Sequence, residues 1–132
     1  SEMCIRDSAN YAWNAAPFVG HSGAAKAGVL NLTRTLALEW SKDNIRVNAM
    51  CPGIVLTDNV KQNLMLNEST TKRFEDFIPV GGVTNPEKMA QQVMYLCSPA
   101  ADVITGDMLI ADGGQWLVGN TFYQMGKQFL DE

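Results

Sequence analysis

His21-Ser-Gly-Ala-Ala-Lys26-Ala-Gly-Val-Leu30-Asn-Leu-Thr-Arg-Thr-Leu-Ala-Leu-Glu-Trp40 reads as one long helix. Its apolar residues (Ala24, Ala25, Ala27, Val29, Leu30, Leu32, Leu36, Ala37, Leu38, Trp40) spread around the whole circumference instead of forming one stripe. A helix that is apolar all round is buried on all sides or shared with a partner. Two polar residues interrupt its entrance. Ser22 and Lys26 are four positions apart, so they stack on one face, and the lysine stem leans back toward the serine. Taken alone the pair has a plain reading, in which Ser22 caps the helix and Lys26 reaches out to water.

Working outward, the helix closes at Lys42-Asp43-Asn44, a turn, and Ile45–Cys51 follows as a short apolar run of the kind a buried parallel strand shows. Pro52-Gly53 stops it. The ordered set Ser22-x-x-x-Lys26-Ala-Gly-Val, Leu-Ala-Leu-Glu-Trp40 and Ile45-Arg-Val-Asn-Ala-Met-Cys-Pro52-Gly53 resembles the C-terminal half of the short-chain dehydrogenase/reductases. More narrowly, it is similar to their enoyl-CoA and dienoyl-CoA reductase branch. The resemblance runs from about Ser8 to about Gly114. It implies an α/β fold, the C-terminal half of a Rossmann-like doubly wound parallel sheet, with ligands bound beyond the C-terminal ends of the strands.

Three stretches divide the chain. Residues 1–8, Ser-Glu-Met-Cys-Ile-Arg-Asp-Ser, fit neither a helix nor a strand period and are similar to a translated sequencing adaptor. They are expected to be a foreign leader, and Ser1–Asp7 to pack against nothing. Residues 9–114 carry the family pattern. Within them 9–20 is a loop holding Tyr11, and Asp58 to Phe77 is expected to form one or two short helices covering the substrate. Thr84-Asn85-Pro86-Glu87 is a helix start, with a capping side chain, proline at the first position and an acid at the positive dipole end. Ser98-Pro99 ends that helix, Met108 to Ala111 is a last strand, and Asp112-Gly113-Gly114 turns out of it. Residues 115–132 form a tail outside the shared pattern.

Composition narrows the function classes. The 132 residues are 46% hydrophobic with a net charge of −4, and they contain no basic patch that would suit nucleic acid. No apolar run approaches the ~18 residues of a membrane span, and no secretory pattern is present. Cys4, Cys51 and Cys97 are widely spaced, which fits reduced thiols in an intracellular protein, and with His21 the only histidine no metal site is expected. The family implies NADPH as cofactor, yet the glycine-rich turn that holds the dinucleotide phosphates is absent from this sequence. The chain therefore reads as half of an enzyme.

The resemblance also assigns roles. Lys26 would hold the nicotinamide ribose, and Pro52, Gly53, Ile54 and Thr57 would line the nicotinamide side. Asn48 would help to fix the active-site loop. Most members carry tyrosine four residues before the lysine, because a phenol beside an ammonium can protonate an alkoxide. Here that position is Ser22, a much weaker acid but a good hydrogen-bond donor. Such a donor suits an enolate that needs stabilising rather than protonating. The dienoyl-CoA reductases place serine there and a tyrosine fifteen residues before the lysine, where this chain has Tyr11. The expected activity is reduction of an unsaturated acyl-CoA by a homodimer or homotetramer. The alternatives are a general 3-oxoacyl or alcohol dehydrogenase, and a non-catalytic dimerising domain.

Overall fold

The computed structural model describes residues 3–7, 12, 20–63 and 67–118. Three parallel strands, β1 (Met3–Asp7), β2 (Arg46–Pro52) and β3 (Met108–Ala111), form a sheet in the order β1-β2-β3. The helices are α1 (Gly20–Glu39), α2 (Asp58–Asn63), α3 (Glu68–Glu75) and α4 (Pro86–Cys97), with short 3₁₀ turns at Ser41–Asp43, Pro99–Ala101 and Gln115–Leu117. The chain is thus α/β with a parallel sheet, as its sequence pattern indicates. It divides into two compact units, residues 1–52 with 86–111 and residues 53–85 with 112–132.

The first unit holds the sheet. β2 is central, and residues 46–51 are buried, with Val47, Ala49 and Cys51 fully so. This burial on both faces is why its apolar residues run on without alternating. α1 packs against it through Leu30, Thr33 and Ala37, which the helical repeat places on one face. Asn44 takes the left-handed conformation (φ 59°) that lets the chain reverse from α1 into β2, a geometry asparagine tolerates better than most residues.

One expectation is corrected here. Met3–Asp7 does not stand apart: it pairs in parallel with β2, Cys4 opposite Val47 and Ile5 opposite Asn48. Strand pairing is made by backbone N–H and C=O groups, and a proline-free segment can join an open edge without a clean side-chain period. Of the two readings of α1, burial on all sides is not met within this chain, and sharing with a partner is not tested by a single copy. Ala24, Ala25, Ala27, Leu32 and Leu38 are exposed, Leu38 at 79%.

Buried polar groups fasten β2 to the segment that leads into β3. Arg46 donates to the Leu96 carbonyl at 2.7 Å and to the Ile104 carbonyl at 3.2 Å, so its cation also sits at the C-terminal, negative end of α4. Asn48, fully buried, donates to the Ile104 carbonyl (2.9 Å) and accepts from the Asp107 N–H (3.1 Å). Its amide thus holds residues 104–107, while the active-site loop that the resemblance has it fixing lies almost wholly outside the described residues. Asn48→Ala would leave the Asp107 N–H without its partner and the Ile104 carbonyl with only the Arg46 donor. We expect it to cost about 1–3 kcal/mol, read from the urea midpoint at unchanged slope. A cost below ~0.5 kcal/mol would mean that the segment is held without Asn48.

The second unit contains α2, α3 and the turn after β3. Its backbone is organised by an isolated parallel bridge between Val55 and Thr84, by Ile78, and by Asp112 with the glycines that follow it.

Candidate functional site

Ser22 and Lys26 lie in the first two turns of α1 and are both half-buried. The helix begins at Gly20, which puts Ser22 inside the first turn and not ahead of it. No acidic residue lies in that turn. The partial positive charge of the helix N-terminus and the Lys26 ammonium therefore act in the same sense beside the Ser22 hydroxyl. The arrangement favours a hydrogen-bond acceptor carrying negative charge. Tyr11, the third residue singled out in the sequence, lies outside the described residues.

On the cofactor side, Pro52 closes β2 opposite Ala111, and the other three positions belong to the second unit. Gly53 is needed for close approach. A Cβ there would stand 2.9 Å from Asp112 Cα and 3.2 Å from the Asp112 carbonyl oxygen, distances no side chain can occupy. After it the backbone is drawn into the bridge: the Thr84 N–H donates to the Ile54 carbonyl (3.1 Å), and the Leu56 N–H donates to the Thr84 carbonyl (3.0 Å). These bonds commit the groups flanking Val55 to the Thr84 edge. By strand alternation they turn the Val55 N–H to the opposite edge, as a donor aimed away from Thr84. The Val55 carbonyl accepts from the Thr57 N–H at 3.0 Å.

Ile54 and Thr57 are half-buried. The Thr57 Oγ1 accepts from the Val60 N–H at 3.2 Å, which caps α2. The cap uses the hydroxyl as an acceptor, and a hydroxyl can donate one hydrogen bond as well.

Sequence reasoning did not find two residues of this region. Thr84 is the bridge partner of the Gly53–Thr57 segment, whereas its place in the sequence marks only a helix start. Asp112 is buried at 6% exposure and accepts from two backbone N–H groups. The Asp-Gly-Gly run signals a turn, but nothing in it signals that the turn supports Gly53. Among the described residues no group of three or more His, Cys, Asp or Glu could hold a metal, and no helix is long and apolar enough to cross a membrane.

Residues 7–115 match the family profile described as enoyl-(acyl carrier protein) reductase. A probable 2,4-dienoyl-CoA reductase [(2E)-enoyl-CoA-producing] of Bacillus subtilis is 46% identical over 116 residues, 87% of this chain and 46% of that protein. A tropinone reductase homologue of Arabidopsis thaliana is 39% identical over 100 residues, 76% of this chain and 37% of that protein. The peroxisomal 2,4-dienoyl-CoA reductase [(3E)-enoyl-CoA-producing] of mouse is 37% identical over 111 residues, 84% of this chain and 37% of that protein. The chain thus spans less than half the length of these relatives. Among solved structures, a short chain dehydrogenase from Bacillus anthracis superposes with a TM-score of 0.68 at 41% identity, covering 86% of this chain and 42% of that one. Another, from Agrobacterium tumefaciens and solved with bound NADP, gives 0.79 at 32% identity, covering 89% and 47%.

Proposed function

Because the chain belongs to the short-chain dehydrogenase/reductase family, we propose that it is the C-terminal half of an NADPH-dependent enzyme that reduces a carbon–carbon double bond of an unsaturated acyl-CoA. The observation that carries this reading is Ser22, one turn before Lys26 at the positive end of α1, where most of the family has tyrosine. NADPH, when bound, supplies a hydride to the β-carbon of the thioester. The negative charge that develops on the thioester oxygen then needs a preorganised donor, and the Ser22 hydroxyl serves without giving up its proton. Lys26 holds the nicotinamide ribose and contributes positive charge. Tyr11 supports proton delivery.

The Gly53–Thr57 segment suits the nicotinamide carboxamide. It offers one backbone N–H on its open edge, at Val55, and one hydroxyl proton, at Thr57, where the amide carbonyl can accept. The side-chain-free approach at Gly53 keeps the segment against Asp112. The preference for the phosphorylated cofactor rests on the family resemblance and on the NADP-bound neighbour. A second copy covering the exposed Leu32 and Leu38 of α1 gives the oligomer, and the widely spaced cysteines suit an intracellular protein.

A second reading, reduction of a ketone, draws on the Arabidopsis relative named for tropinone reductase. The two separate on substrate. In the complete enzyme carrying this sequence, NADPH oxidation with 2-enoyl- or 2,4-dienoyl-CoA should exceed that with 3-oxoacyl-CoA at least about tenfold, roughly 1.4 kcal/mol of transition-state discrimination. Faster turnover of the 3-oxo substrate would establish the ketone reading.

A further inference from the structure

The segment from Gly53 to Val80, which carries α2 and α3, leaves from and returns to a single small turn. At its start Gly53 packs against Asp112 closely enough to exclude a Cβ. At its end the Val80 N–H donates to the Gly113 carbonyl at 3.1 Å. There Ile78 Cγ2 lies where a Gly113 Cβ would stand only 2.6 Å away, and Pro79 Cγ lies 3.3 Å from the corresponding point on Gly114. The supporting turn needs its two glycines, which adopt φ of 65° and 85° in succession, a conformation costly for any residue with a Cβ. Two consecutive left-handed residues have little intrinsic preference to stay in place. What fixes them is the Asp112 carboxylate: Oδ1 accepts from the Gly114 N–H and Oδ2 from the Trp116 N–H, both at 2.9 Å. The Asp112 carbonyl adds a third bond, from the Gln115 N–H at 3.2 Å. Bonds to an ionised acceptor are stronger than neutral ones.

We infer that Asp112 is a positioning residue for the nicotinamide side of the site: its carboxylate sets the turn on which both ends of the Gly53–Val80 segment rest, and so fixes where the Val55 N–H and the Thr57 hydroxyl are presented. Asp112 itself touches no reacting atom. The inference rests on the cofactor reading above, which assigns the Gly53–Thr57 segment to the nicotinamide.

The test is Asp112→Asn in the complete enzyme, a change of nearly equal size. It keeps one acceptor and sets an NH₂ group against the second backbone N–H. Leu96→Ala serves as a control that loosens the core of the other unit without touching the turn. Binding of NADPH and NADH is followed by cofactor fluorescence well below the unfolding temperature, and amide hydrogen exchange is followed in the free protein. Asp112→Asn should weaken cofactor binding about tenfold and speed exchange at Leu56 and Val80 by a similar factor, whereas Leu96→Ala should move neither. Unchanged binding and unchanged exchange at Leu56 and Val80, with acceleration confined to Gly114 and Trp116, would overturn the inference. If the unsubstituted enzyme bound neither cofactor, the cofactor reading would fail and the inference with it. If Asp112→Asn does not fold, Asp112→Glu takes its place in the same comparison. A longer arm shifts the turn instead of releasing it, and should still change binding.

Discussion

Replacing Lys26 by alanine should lower kcat/KM of the complete enzyme by at least about 10³-fold, because two effects are lost together. The ribose loses its anchor, and the oxygen that gains charge loses a cation one helical turn from Ser22. Either loss alone is comparable to removing one oxyanion donor, ~10²–10³ in rate, and the two act as a unit, so they do not simply multiply. The fold should tolerate the change. Alanine is the best helix former, and Lys26 is only half-buried on a helix held to the sheet by Leu30, Thr33 and Ala37. Lys26→Arg keeps the charge but replaces a compact ammonium with a planar fork, and should recover part of the activity. Steady-state kinetics beside a thermal melt decide the matter. A loss below about tenfold, with the melt unchanged, would remove Lys26 from the machinery.

For Ser22→Ala the expected loss is ~10²–10³ in kcat with the acyl-CoA KM little changed, the signature of a bond made more strongly in the transition state than before it. A helix-capping serine would behave differently: its loss would cost about 1 kcal/mol of stability and leave kcat where it was. Measuring unfolding and turnover on the same preparation separates the two. A stability loss with unaltered kcat would return Ser22 to the plain reading.

Helices and strands were legible where chemistry repeats locally. The apolar run at Ile45–Cys51, the Asn85-Pro86 start and Ser98-Pro99 stop of α4, and the strand Met108–Ala111 all correspond to elements of the structure with small shifts at their ends. The pair Ser22–Lys26 was legible for the same reason, since helical spacing alone puts the two side chains on one face. What escaped was decided over long distances. Arg46 and Asn48 lie in a run that reads as a buried strand, and Asp112 in a turn, but nothing local names the groups they bond. Arg46 and Asn48 are buried because carbonyls and amides 50 to 59 positions away meet them there. Thr84 escaped because its backbone role depends on Val55, which no local pattern connects to it. Met3–Asp7 shows the opposite limit, a segment with no clean period that nonetheless pairs with β2.

The bond from Asn48 to Asp107 also says something about the order in which this chain acquires its structure. Closing the 59-position separation between them costs ~3.5 kcal/mol of chain entropy before any contact across it is rewarded. During synthesis β2 emerges well before the carbonyls to which Arg46 donates and the strand that covers its far edge. Until Ala111 has left the ribosome, β2 is a nascent apolar strand with one edge open. An unpaired strand edge is prone to aggregate, so this is an interval in which a chaperone has something to protect.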